Sequence, residues 1–162
     1  MAGLPGSSVR NSNSADNFLR LHVRANSNSQ TDQDIKYVVK SAIVDALTPL
    51  MVDVISKEQA MQKLNANLGL IESVADSVLE SAGFDYGCRA QVRSEYFPTR
   101  DYNQYTLPEG VYDALIVELG TGTGDNWWCV VYPPLCFLEN NIGGDTGVKY
   151  RSKLEEIIKR YF

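Results

Sequence analysis

Residues 111–132 read VYDALIVELGTGTGDNWWCVVY, and the fold class turns on this stretch. Val111 to Leu119 carries apolar residues at both parities, the pattern of a strand covered on both faces and so central in a sheet. Gly120 to Asn126, GTGTGDN, has turn composition and reads as a hairpin connection into a second strand, Trp127 to Tyr132. Adjacent side chains on a strand point to opposite faces, so Trp127 and Trp128 must be covered from different sides. One can fill a core. The other needs a loop, a terminal helix or a partner protein.

Two more strands and a group of helices lie upstream. In Phe18 to Ala25, Leu19, Leu21, Val23 and Ala25 alternate with Arg20, His22 and Arg24, as in a half-buried strand. Asn26 to Gln30 is a polar loop. Thr31, with Asp34 three residues on, opens a helix carrying Ile35, Val38, Val39, Ala42, Ile43, Ala46 and Leu47 at helical spacing, and Pro49 stops it. Ser56 with Gln59 forms a second capping box, and the helix behind it is weak near Asn67, so two helices are expected there. Tyr86 to Tyr96 alternates again, with Arg89, Gln91, Arg93 and Glu95 on one side. FPTRDYNQYTLPEG reads as a long loop, and Lys149 to Phe162 as a terminal amphipathic helix. The expected fold is α+β: two layers, a mostly antiparallel sheet of about four strands, helices on one face.

At 162 residues the chain suits one domain, 16–162. Residues 1–15, rich in Gly, Ser and Asn, read as a disordered or vector-derived leader standing where an exporting segment is expected. A net charge of −5 excludes the basic footprint of a nucleic-acid binder. No apolar run is long enough to span a bilayer.

Few residues invite catalysis. GTGTGDN lacks the GK[ST] ending of a phosphate loop and precedes a strand, not a helix. Glu109 sits in a turn, and Asp113 and Glu118 have opposite parity, which breaks the simplest carboxylate pair. A single histidine and the absence of CxxC spacing argue against a metal site, and no cofactor is expected. His22 and Cys129 remain as a conceivable nucleophile–base pair. Cys129 and Cys136, with Pro133 and Pro134 between them, either form a disulfide or, with Cys88, are small buried hydrophobes.

The basic strand faces are the stronger lead. Arg20, His22 and Arg24 share one face, and Arg89 and Arg93 another. In one sheet they form a common basic surface: either a solvated sheet face or a docking face for an acidic partner.

Three blocks, RLHVRANSNSQTDQD (Arg20 to Asp34), FPTRDY (Phe97 to Tyr102) and LPEGVYDALIVELGTGTGDNWWCVVYPPLCF (Leu107 to Phe137), in this order resemble the stage II sporulation protein R family of endospore-forming bacteria. The resemblance implies a secreted, non-enzymatic signalling protein. It implies passage from forespore into the space before the mother cell, where a membrane-embedded aspartic protease is activated to cleave the precursor of sporulation sigma factor E. The expected partner surface comprises Arg20, His22, Arg24, Arg89, Arg93, Phe97, Arg100, Tyr102, Trp127 and Trp128. The competing reading is a hydrolase of the same space, acting on peptidoglycan or peptides through His22 or Cys129.

Overall fold

A computed structural model describes residues 15–102 and 105–135. Strand β1 (Leu19–Arg24) is followed by helices α1 (Gln30–Met51), α2 (Lys57–Ala66) and α3 (Leu68–Ser81). Then come β2 (Cys88–Phe97), a short hairpin of β3 (Arg100–Tyr102) and β4 (Tyr105–Leu107), β5 (Gly110–Leu119) and β6 (Asn126–Tyr132). The main sheet runs β2-β5-β1-β6. β1 is parallel to β5, while β1–β6 and β2–β5 are antiparallel. The fold is α+β, a mixed and mostly antiparallel four-stranded sheet with its helices on one side.

Register sorts the residues onto the two faces. Leu21 lies beside Leu115 and Cys129, and Val23 beside Val117 and Trp127. These pack on Ile35, Val39, Ile43 and Leu47 of α1, Leu64 of α2 and Ile71, Ala75 and Leu79 of α3, forming the main core. Val78 and Val92 are only half-buried at its edge. The opposite face is covered too. Phe18, Phe97, Leu107, Tyr112, Ala114, Ile116, Val130 and Leu135 form a second, smaller apolar cluster. β5 is therefore central and buried on both sides, as its composition predicts.

Several local expectations change. The α1 cap is Ser29, not Thr31: extended backbone at Ser29 (φ −64°, ψ 154°) lets its Oγ accept from Asp32 N at 3.1 Å. Pro49 sits inside α1, which continues to Met51, because proline's fixed φ is already helical and the buried Leu47 and Met51 keep the last turn packed. Ser56 and Gln59 cap α2 as expected, with Ser56 Oγ accepting from Gln59 N at 3.1 Å. Asn67 separates α2 from α3. The stretch FPTRDYNQYTLPEG, read as a loop, contains the β3–β4 hairpin.

The largest correction concerns Gly120 to Asn126, which joins no hairpin. β5 and β6 flank β1, so the turn crosses over the end of β1. Of the expected leader (residues 1–15) all but Ala15, which opens a short 3-10 turn, lies outside the described residues, as do Cys136 and the expected terminal helix.

Candidate functional site

The polar faces of β1 and β2 do meet on the side away from the helices, but as a half-buried ionic cluster, not an open surface. Arg20, His22 and Arg24 stand beside Ala114, Ile116 and Glu118 of β5, and these stand beside Arg93, Gln91 and Arg89 of β2. Arg20 is fully buried, its guanidinium 4.3 Å from the Phe97 ring centroid and 4.6 Å from that of Tyr112. A cation over two aromatic faces is attracted by the ring quadrupoles most strongly where water is excluded.

Glu95 organises the rest. Its carboxylate binds His22 Nδ1, Arg24 and, at 3.2 Å, Arg93. Arg24 also donates to Glu118 Oε2 at 3.0 Å. The two glutamates neutralise what reads, by arginine content alone, as a basic face. Their signal was legible, since Glu95 shares parity with Arg89 and Arg93.

His22 lies between Phe97 and Trp128, with ring centroids at 5.7 and 5.4 Å. Burial lowers its pKa below the ordinary 6.5, outweighing the Glu95 carboxylate, which pulls the other way. Burial tends to raise the Glu95 pKa, but the His22 bond and the Arg93 and Arg24 cations bring it below its ordinary value. The folded site therefore holds a neutral imidazole that donates Nδ1–H to a carboxylate. His22 Nε2 and Trp128 Nε1 are both buried with no hydrogen-bond partner among the described residues. Arg100 of β3 stacks on Trp128 at 3.9 Å from the ring centroid. Trp127, on the helix side, lies under Lys40 Nζ at 4.8 Å.

A pH dependence follows. Unfolded His22 takes a proton near 6.5 and the folded site resists it, so stability present above 6.5 declines as pH falls through that value. Asp32, bonded by Ser27, Tyr86 and Asn26, and Asp113, bonded by Lys57, are held below their ordinary 3.8 and add a second loss in stronger acid. Urea midpoints measured against pH should show both phases, and His22→Gln should remove only the first. A single acid phase in the parent protein would contradict the neutral buried imidazole.

Below the cluster, the ends of β1 and β5 are locked together. Asn26 Oδ1 accepts from Thr121 N at 2.9 Å, and Thr121 Oγ1 donates to Asn26 O at 2.8 Å. Asn28 Oδ1 accepts from Asp125 N at 2.6 Å, and Gly124 N donates to Ala25 O at 2.8 Å. Asp32 accepts from Asn26, Ser27 and the Tyr86 hydroxyl. Two stretches that read separately as polar loop and hairpin turn thus form one bonded unit.

The family model of stage II sporulation protein R matches residues 15–142. The chain belongs to that family. It is 35% identical over 128 residues to "Stage II sporulation protein R" of Bacillus subtilis (strain 168), an alignment covering 79% of this chain and 57% of that protein. The chain thus spans a little over half the length of that relative. No solved structure matches it. Membership of the stage II sporulation protein R family assigns the chain a role in sporulation.

In this family member the ten residues expected on a partner surface do not share one environment. Arg20, His22 and Phe97 are buried, because the β3–β4 side of the sheet carries its own apolar cluster. Arg24 is only a quarter exposed and tied to both glutamates. Arg89, Arg93 and Arg100 are exposed. Trp127 and Trp128 are half-buried on opposite faces, and the side chain of Tyr102 lies outside the described residues. His22 and Cys129 also point to opposite faces, His22 lying beside Trp128 and Cys129 beside Leu21, so they form no pair. Among the described residues there is no His, Cys, Asp and Glu cluster suited to a metal, and no helix long and apolar enough to cross a membrane.

Cys129 is disulfide-bonded, whereas Cys88 is free, buried and pushed up to about 12 by burial and by Asp76, Glu72 and Glu118. Thiol titration of the denatured, unreduced protein should therefore find one free thiol. A count of three would mean that Cys129 is unpaired.

Proposed function

We propose that the chain is a secreted signal of the space between forespore and mother cell, which binds and activates a membrane-embedded aspartic protease that cleaves the precursor of sporulation sigma factor E. Membership of the family supports this reading. The observation that carries it to particular residues is Arg100 stacked on Trp128. Arg and Trp dominate binding hot spots. Here they form a preassembled pair, with Arg100 exposed and Trp128 half-buried beneath it.

The test is reconstitution of purified domain, membrane protease and precursor, scored for cleavage. Arg100→Glu should lower activation at least about tenfold, the scale of a hot-spot loss, while leaving cooperative melting unchanged. Full activation by that variant would exclude this surface. Cleavage of precursor or peptidoglycan by the domain alone would favour a hydrolase, with a site other than a His22–Cys129 pair.

A further inference from the structure

Strand β2 is an edge of the main sheet, and its two halves are treated differently. Gly120 N donates to Gly87 O, which sets the odd-numbered peptides of this strand facing β5 and the even-numbered ones facing outward. Cys88 N and Ala90 N, both outward, are taken by side chains of α3, Asp76 Oδ1 at 2.7 Å and Glu72 Oε2 at 2.9 Å. The next outward groups belong to Val92, Ser94 and Tyr96, and no strand or side chain among the described residues bonds them from that side. This stretch has no proline, lysine or bulge, the usual protections of an edge. It is flanked by two exposed apolar side chains, Tyr96 at 57% and its cross-strand neighbour Val111 at 62%.

We propose that two copies of this chain pair through the β2 edge, antiparallel about a two-fold axis at Ser94, joining their sheets into one. Outward groups can pair only with outward groups, so the axis must pass through a residue. At Arg93 it would oppose two arginines, and at Glu95 two glutamates. At Val92 it would demand the Ala90 N–H that Glu72 already holds. At Tyr96 it would oppose Ser94 to Pro98, which has no N–H to give.

At Ser94 the charges and the ladder agree. Arg93 of each copy lies opposite Glu95 of the other, and Val92 opposite Tyr96, an aromatic and β-branched pair of the kind that stabilises sheets. Ala90, already capped, lies opposite Pro98, so the ladder ends where neither side has an N–H to offer. This pairing goes beyond the proposed function and can be measured without the protease.

Sedimentation over a concentration series should show a monomer–dimer equilibrium. Ser94→Pro removes an N–H that faces away from β5, and Tyr96→Lys places a charge in the seam. Each should abolish the dimer while melting stays cooperative, and the second decides the matter if the first fails to fold. Ser94→Cys, treated with a short bismaleimide, should give crosslinked dimer. Arg89→Cys should not, because its two copies would sit about 34 Å apart along the strands, ten residues of rise. A parent chain that stays monomeric at every concentration, or a dimer that survives both edge variants, overturns the pairing.

Discussion

Replacing Glu95 with alanine should destabilise the fold by about 1.5–3 kcal/mol, the cost of removing charge-assisted hydrogen bonds and leaving a buried donor without an acceptor. The side chain is only 14% exposed and serves three donors, His22, Arg24 and Arg93. Its loss leaves Arg24 with Glu118 alone and the imidazole Nδ1–H with no acceptor. An exposed ion pair would contribute no more than about 1 kcal/mol, so urea unfolding separates the two cases. Glu95→Gln should cost less, because an amide oxygen can still accept. It should also move the His22 pKa further down, since the carboxylate is what pulls that value up. A loss under about 1 kcal/mol for Glu95→Ala would show that the cluster is a solvated surface after all.

Adding one methyl group at Gly124 should cost about 3 kcal/mol, at the upper end of ordinary overpacking. A Cβ there would stand 2.2 Å from the carbonyl oxygen of Ser27, and backbone cannot swing aside as a side chain tip can. The crossing turn would have to lift from the β1–α1 loop, breaking the Gly124–Ala25 bond and straining the Asp125–Asn28 contact. Gly69→Ala provides the contrast. Gly69 lies in α3, where an added Cβ would meet nothing within 4 Å, and alanine there should stabilise by roughly 0.5–1 kcal/mol through helix propensity. Thermal midpoints that move the same way for both variants would contradict the interlocked turn.

The two variants also mark how far sequence reading reaches. Gly69 weakens a helix and can be judged from its neighbours in the chain. Gly124 is judged by Ser27, nearly a hundred residues away, and its local signal, a Gly-rich run before a strand, is the same for a hairpin turn and a crossing one. Strand order decides between them. Arg24 and Glu95 are similar. Parity places each on a defined face of its own strand, but only the sheet brings Arg24, His22 and Glu95 together.

What the chain determines by itself is the set of elements and their faces. Alternation in β1 and β2, apolar residues at both parities in β5, the Ser56 cap and the Asn67 break all act over a few residues, where backbone geometry ties sequence to structure directly. The fold class, the main core and the separation of Trp127 from Trp128 follow from that. Tertiary structure decides the rest: that β1 inserts between β5 and β6, that a second apolar cluster covers the far face, and that arginines legible as a docking surface become partners of Glu95 and Glu118. Burial and charge pairing depend on contacts distant in sequence, and the same alternating strand serves equally well facing water or facing another layer.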